Sequence, residues 1–273
     1  MHIIYSNTNE QAAAKAFSSQ SIIFDQLYAD NKIVHYKRER VRAHLKKYIK
    51  AGDCILELNS GTGHDAIWLA QQNCLVHATD IASGMLEVLQ EKIIVEGLES
   101  FVTCELCSFT AFDHLQQRGP YDMIFSNFAG LNCTDKLGEV LASFSPFLKS
   151  KGILTLVLLP KFCLWEFLLF FRGKFKTATR RFFSSRGRSA RVENTYFKCW
   201  YYNPSFITDR LKTGFKLLHI EGLCTIVPPS YIETFGDKYP NLFNFLKGQE
   251  DRWKRKWPWK YIGDYYIITL QKK

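Results

Sequence analysis

The sequence predicts an α/β fold, an open and mostly parallel sheet with helices on both faces. Three observations carry this. Apolar strand-like runs alternate with runs of helical spacing through the first two thirds of the chain, the pattern of successive βαβ units. The first of these runs passes through a turn with two glycines directly into helix: Cys54-Ile55-Leu56-Glu57-Leu58-Asn59-Ser60-Gly61-Thr62-Gly63-His64-Asp65-Ala66. The second, Leu75-Val76-His77-Ala78-Thr79-Asp80, ends in an acid. Glycines let backbone approach a ligand closely, and a helix start offers unpaired N–H groups. An acid at the tip of the second strand is placed to accept hydrogen bonds from ribose hydroxyls.

The remaining elements follow in order. Ser19 to Lys50 reads as helical, with Ile22, Ile23, Leu27, Ile33, Val34, Tyr36, Val41, Leu45 and Tyr48 on apolar faces. Lys32 to Lys50 carries eight Lys or Arg and a single acid, Glu39, which reads as a solvated face or as part of a cap. After the second strand, Ser83 to Gly97 is a helix with Ser83 as expected N-cap and Met85, Leu86, Leu89, Ile93 and Ile94 as its buried stripe. A third strand spans Val102 to Cys107 and a fourth Tyr121 to Phe128, whose polar end from Ser126 to Asn132 should line a site. A helix from Thr134, its expected N-cap, to Leu148 leads to a fifth strand, Gly152 to Leu159. Helix Pro204 to Thr213 and strands Phe215 to Leu223 and Asp264 to Gln271 complete the pattern.

The run Glu57-Leu58-Asn59-Ser60-Gly61-Thr62-Gly63 with Asp80 beyond it resembles class I S-adenosylmethionine (SAM)-dependent methyltransferases, whose first motif is acid-x-Gly-x-Gly-x-Gly. Asn59 stands where the family has its first glycine, and asparagine tolerates positive φ well. The dinucleotide fingerprint G-x-G-x-x-G fits less well: some variants allow Ala66 at its third place, but Asn59 and the spacing favour the methyltransferase pattern. The resemblance implies a Rossmann-like seven-stranded sheet of order 3-2-1-4-5-7-6 with strand 7 antiparallel. It implies SAM as methyl donor, held by Glu57, Asn59, Ser60, Gly61, Thr62, Gly63 and Asp80, with Ile81 and Met85 along the adenosine. At the end of strand three the family has an acid for the adenine amino group. This chain has Cys107-Ser108-Phe109, so Ser108 is expected to take that bond and Phe109 to stack. Asn127 and Phe128 correspond to the fourth motif, without the proline pair of adenine-amino enzymes. Phe24-Asp25-Gln26-Leu27-Tyr28 is similar to an element of the family's N-terminal helix, which places Tyr28 near the methyl donor. The layout looks like the ubiquinone/menaquinone-type and related small-molecule enzymes.

Domain organisation is read as an N-terminal helical cap over residues 1–50 and a SAM-binding domain over 51–273, with 160–203 as a substrate-lid insertion. The insertion opens with Phe162, Leu164, Trp165, Phe167, Leu168, Leu169, Phe170 and Phe171, then carries eight Lys or Arg and no acid from Arg172 to Arg191. It is read as core aromatics with a solvated loop, as an apolar pocket with a cationic mouth, or as an interfacial membrane segment. A second aromatic and basic cluster runs from Arg252 to Tyr261.

The chain has 273 residues, 47% hydrophobic, and a formal net charge of +10. That charge favours anionic partners of any kind. Met1 to Ala14 is polar and alanine-rich rather than a leader, and the apolar tract Ile153 to Phe171 is broken by Pro160, Lys161 and Glu166. Of the eight cysteines, Cys104 and Cys107 form a C-x-x-C on a strand, where side chains alternate faces; reduced thiols in a cytoplasmic protein are expected, and no metal. His64 reads as a helix start, while His35, His44 and His219 show no carboxylate partner in sequence, so no general base is assigned. The expected function is methyl transfer to a small, largely apolar or aromatic acceptor, with possible contacts to an acidic membrane surface. An RNA methyltransferase using the basic surface and a non-catalytic SAM-binding protein are the alternatives; nucleic acid is the weaker partner because no binding module accompanies the charge.

Overall fold

The computed structural model describes residues 8–273. The apolar runs become strands buried on both faces. β1 (Cys54–Leu58) lies between β2 (Leu75–Asp80) and β4 (Tyr121–Ser126), parallel to both. β3 (Val102–Leu106) flanks β2, and β5 (Leu148–Leu158) flanks β4. After a hairpin of β6 (Arg188–Val192) and β7 (Thr195–Cys199), the sheet is completed by β8 (Phe215–Leu223) and β9 (Tyr265–Lys272), with β9 antiparallel to β5 and β8. The order β3-β2-β1-β4-β5-β9-β8 is the expected 3-2-1-4-5-7-6 once the separate hairpin is set aside.

Side chains alternate across the sheet, so each strand feeds two cores. Ile55, Met123, Phe125 and Val157 face one side with α2 (Lys32–Leu45), α3 (His64–Ala70) and α4 (Ser83–Val95). Leu56, Leu58, Ile124 and Leu156 face the other with α5 (Leu137–Ser143) and α8 (Pro204–Leu211). Registers place Leu58 opposite both Thr79 and Ser126. The carboxyl ends of the three central strands therefore stop at one level.

The helical N-terminal stretch is two helices. α1 (Thr8–Ala29) starts before the expected Ser19, and Asn31 then caps α2 by accepting from Ile33 N and Val34 N at 3.0 and 3.1 Å. α2 belongs to the packing of the sheet through Val41 and Leu45. Its His44 has the carboxylate partner that the local sequence does not show: Nδ1 lies 3.0 Å from Glu221 Oε1 and Nε2 2.7 Å from Thr269 Oγ1. α1 packs instead on α4 and on β7, where Phe17 meets Phe197 at 5.5 Å.

Several expected boundaries move, among them the start of β5, which is Leu148 rather than Gly152, and three have a local cause. The N-cap of α4 is Ala82, not Ser83, because the Asp80 carboxylate accepts from Ala82 N at 2.9 Å and turns the chain one residue earlier. α5 is capped at Lys136 rather than Thr134, since a 3-10 turn over Gly130–Cys133 precedes it and Thr134 Oγ1 accepts from Lys136 N. The fourth strand stops at Ser126, because Phe128 and Ala129 have φ of 44° and 68°.

The insertion folds into α6 (Leu164–Leu168), a 3-10 turn, α7 (Phe175–Thr179) and the β6–β7 hairpin. Glu166, which interrupts the apolar tract in sequence, anchors it. It accepts from Arg180 Nε at 2.8 Å and from Arg181 Nη2 at 2.6 Å, and Arg181 also reaches Asp264 Oδ1 at 2.7 Å. Cys163, Glu166 and Asp264 lie close enough to share a cation, but the arginines supply the positive charge there. Two further helices, α9 (Phe235–Lys238) and α10 (Pro240–Trp253), precede β9. No helix among the described residues is long and apolar enough to cross a membrane.

Candidate functional site

A cavity lies beyond the carboxyl ends of β1, β2 and β4, beneath α1. Its floor is the β1 turn. Asn59 and Gly61 take φ of 48° and 56°, and Gly63 takes 81° as the cap of α3. Asn59 does more than tolerate the turn. Its Nδ2 donates to Asn127 O at 2.8 Å and its Oδ1 accepts from Ser126 Oγ at 2.6 Å. The side chain thus ties the tip of β1 to the tip of β4, a cross-link that glycine could not make. Asn127 in turn donates from Nδ2 to Asp65 Oδ2 at 2.6 Å, and Arg42 Nε donates to Asp65 Oδ1 at 3.2 Å.

Asp80 shapes the turn from the neighbouring strand. Its two oxygens accept from Gly61 N at 2.8 Å and Ala82 N at 2.9 Å. Burial pushes its pKa up against these backbone hydrogen bonds. Glu57 is fully enclosed; burial first, then Asp65 and Asp80, raises its pKa well above the ordinary carboxyl value. Among the described residues its Oε2 and the Oγ of Ser60 are buried without a hydrogen-bond partner, and both residues line the cavity. Such atoms are costly unless a ligand supplies the partner. A ligand with an ammonium group and hydroxyls fits this floor.

The roof and walls come from elsewhere in the chain. α1 contributes Glu10, Ala13, Phe17 and Phe24, and α2 contributes Arg38. The Arg38 guanidinium makes no hydrogen bond or close ion pair among the described residues; burial lowers its pKa while Asp65 opposes. It is a cation available to a ligand carboxylate. α1 is latched at its far end by Asp25, whose Oδ1 accepts from Thr62 Oγ1 at 2.6 Å and sits 2.9 Å from His64 Nε2, while Lys92 holds Oδ2. Burial works against the Asp25 charge, but the hydrogen bonds from Lys92 and Thr62 prevail and lower its pKa.

Of the residues expected to hold the methyl donor, Glu57, Asn59, Ser60, Gly61, Thr62, Asp80, Ile81, Met85, Phe109, Asn127 and Phe128 line this one cavity. Tyr28, Gly63 and Ser108 are not among its lining residues. Tyr28 lies one helical turn beyond Phe24, with its ring edge-on to Phe24 at 5.2 Å, and Phe24 enters the cavity in its place. Gly63 faces the core beside Leu89. Ser108 turns its Oγ to Glu10 Oε2 at 3.1 Å, and Thr110 Oγ1 donates to Glu10 Oε1 at 2.7 Å. An acid thus stands at the end of β3 after all, brought there by α1 from nearly a hundred residues upstream.

The lining residues missed by sequence reasoning include Glu10, Phe17, Arg38, His64 and Asp65. His64 does begin α3, as expected, and its ring also faces the cavity. The thiols of Cys104 and Cys107 are free, pushed by burial to about 11 and about 12.

Residues 55–152 match the family model of the methyltransferase domain. No curated protein matches the chain by sequence. Among solved structures, the (4+2)-cyclase SpnF is similar with a TM-score of 0.64 at 13% identity, over 100% of this chain and 98% of that one. The 1,6-didemethyltoxoflavin N1-methyltransferase of Burkholderia thailandensis, bound to 1,6-didemethyltoxoflavin and S-adenosylhomocysteine, is similar at 0.56 and 15% identity, over 100% and 93%. Magnesium protoporphyrin IX methyltransferase of Synechocystis, bound to S-adenosylhomocysteine, is similar at 0.60 and 14% identity, over 97% and 100%. These identities speak for the fold, and one fold hosts many reactions. The sheet order, the acid-and-glycine turn and the family match over residues 55–152 give the chain the fold of the class I methyltransferases.

Proposed function

We propose that the protein transfers the methyl group of SAM to a small, largely apolar or aromatic acceptor by in-line displacement. The observation that carries the reading is the pair of buried, unpartnered oxygens, Glu57 Oε2 and Ser60 Oγ, facing a cavity flanked by Asp80 and Arg38. An amino-acid ammonium suits the acidic floor, a carboxylate suits Arg38, and ribose hydroxyls suit Asp80. SAM brings a methyl group already activated on a sulfonium. The chain's own task is to hold both partners in line and exclude water. Phe17, Phe24, Phe109 and Phe128 give the cavity the apolar walls for an uncharged ring, and the acceptors named for the two methyltransferases above are ring compounds. The reading extends to peripheral contact with an acidic membrane surface.

Two measurements test it. SAM and S-adenosylhomocysteine should raise the melting temperature, and Asp80→Ala or Gly61→Arg should remove the shift. Labelled methyl from SAM, incubated with the protein and a cell extract, should enter the small-molecule or lipid fraction. Label confined to RNA or protein would overturn the acceptor class, and no melting shift with either compound would overturn the site.

A further inference from the structure

The aromatic run that opens the insertion does not enter the core. Phe167, Phe170, Phe171, Phe175 and Phe182 are exposed by 37, 42, 77, 54 and 46%, and Leu168 by 43%. They are not scattered. Phe162 joins Phe167 at 5.6 Å and Phe182 at 5.8 Å; Phe167 stacks on Phe170 at 6.2 Å; Phe170 meets Phe171 at 6.0 Å and Phe175 at 4.7 Å. The rings form one continuous exposed ridge, and contiguous apolar surface of this kind marks a contact site.

What covers the ridge is indicated by its charge. Arg172, Lys174, Lys176 and Arg186 are exposed on the same segment, and their side chains make no hydrogen bond or ion pair with any described residue. No acid occurs from Arg172 to Arg191. The acid just before, Glu166, is buried and already bound by Arg180 and Arg181. A ridge of phenylalanine and leucine bordered by unpaired cations is complementary to a surface whose interior is apolar and whose edge is anionic. A bilayer with acidic headgroups has both features at the right depth for one side chain. A nucleic acid would meet the cations but leave a ridge whose rings are spent on one another, not spaced as a base-stacking platform. The ridge is firmly mounted, because Arg181 joins Glu166 beneath it to Asp264 at the start of β9.

We propose that residues 162–186 form a docking surface for an anionic lipid bilayer, the phenylalanines entering the acyl boundary and the cations lying at the headgroups. This names the surface for the membrane contact proposed above and rests on that contact, not on the methyl donor.

Co-sedimentation of the full chain with vesicles tests it, using phosphatidylcholine alone and phosphatidylcholine with one third phosphatidylglycerol. The protein should partition to the mixed vesicles and not to the neutral ones. The triple variant Arg172→Glu, Lys174→Glu, Lys176→Glu should lose partitioning by about fivefold or more for each charge. The double variant Phe171→Ser, Phe175→Ser should lose it without a change in the salt dependence of what remains. Both variants should keep the melting shift with SAM, which shows that they fold. Conversely, Gly61→Arg should still bind vesicles after losing the methyl donor, so failure of the site and failure of the surface are told apart. Wild-type protein that ignores anionic vesicles, variants that bind as well as wild type, or a single-stranded RNA that displaces the vesicles through the same cations would each overturn the proposal.

Discussion

The two glycines of the β1 turn look equivalent in sequence, and the structure gives them different work. Gly63 has φ of 81°, and a Cβ built there would lie 2.0 Å from Leu89 Cδ1, 2.9 Å from its Cγ and 3.3 Å from its Cβ. Turning the Leu89 side chain moves Cδ1 but leaves Cβ in place, and Leu89 is fully buried. Gly63→Ala therefore combines left-handed strain of about 1–2 kcal/mol with overpacking of about 1–3 kcal/mol, a destabilisation of about 2–5 kcal/mol. Gly61 has φ of 56° and nothing within 4 Å of the added carbon. Gly61→Ala should then cost only the strain, about 1–2 kcal/mol. Its new methyl group enters the cavity, however, so affinity for S-adenosylhomocysteine should fall about tenfold, equivalent to about 1.4 kcal/mol. Urea unfolding without ligand gives the first pair of numbers, and calorimetry of the folded variants gives the second. A Gly63→Ala protein as stable as its parent, or a Gly61→Ala protein with unchanged ligand affinity, would refute the reasoning.

Other residues lead to equally specific outcomes. Glu10→Gln removes the charge at the end of β3 and should weaken S-adenosylhomocysteine binding about tenfold. The loss should be smaller for the analogue with hypoxanthine in place of adenine; equal losses in calorimetry would remove Glu10 from base recognition. Burial, with Arg38 nearby, holds His64 below its ordinary value of 6.5 against Asp25, and burial does the same to His77 against Glu105. Both imidazoles then bind more protons in the unfolded chain than in the folded one as pH drops below 6.5, so their share of the stability should fall on acidification, while the raised carboxyl of Glu57 acts in the opposite sense. From pH 8 to pH 5 the urea midpoint of His77→Gln should therefore fall less, or rise more, than that of the parent; an identical pH dependence would contradict this. Glu221 binds His44 Nδ1 at 3.0 Å and Arg255 Nε at 2.8 Å, and lies 3.5 Å from the buried Arg40. Glu221→Gln should cost about 3–5 kcal/mol in denaturant unfolding, since it strands the buried Arg40 guanidinium; a loss below 1 kcal/mol would show that Arg40 is satisfied otherwise. Asp25→Asn should loosen the α1 latch, seen as faster amide exchange in α1 with little change in the sheet; unchanged exchange would show that the Asp25 contacts do not hold the roof.

The floor of the site was legible because it is local. Glu57 through Gly63 is a single contiguous strand and turn, Asp80 closes the adjacent strand, and Ser126 and Asn127 end the next. Strand order alone brings these tips to one level. The roof was not legible for the opposite reason. α1 is an alanine-rich helix whose weak amphipathicity gives no sign of what it covers, and its position is set by packing on α4 and β7. Phe24 and Tyr28 lie one turn apart, so helical spacing alone cannot say which enters the cavity. Arg38 looked like one cation of a solvated face. The missing acid after β3 could not be found near Ser108, because Glu10 supplies it from the other end of the chain. His44 and Glu221 are hidden from each other in the same way, across 177 residues. In Glu166 the sequence shows a charge that breaks an apolar tract, whereas the structure shows the anchor for everything that follows it.

The arrangement also sets how the insertion reaches the site. The floor depends on backbone geometry at three strand tips and draws no lining residue from the insertion. The roof does depend on the insertion. Phe197 of β7 packs on Phe17 of α1, and Asn9 at the start of α1 donates to Cys133 O at 2.8 Å and accepts from Lys198 N at 2.6 Å. The hairpin that braces the roof and the aromatic ridge therefore belong to one segment, fixed to β9 through Arg181 and Asp264. No residue of 160–203 lines the cavity, so a change of length or sequence in that segment reaches it through the stiffness of the roof and leaves Glu57, Ser60 and Asp80 where they are.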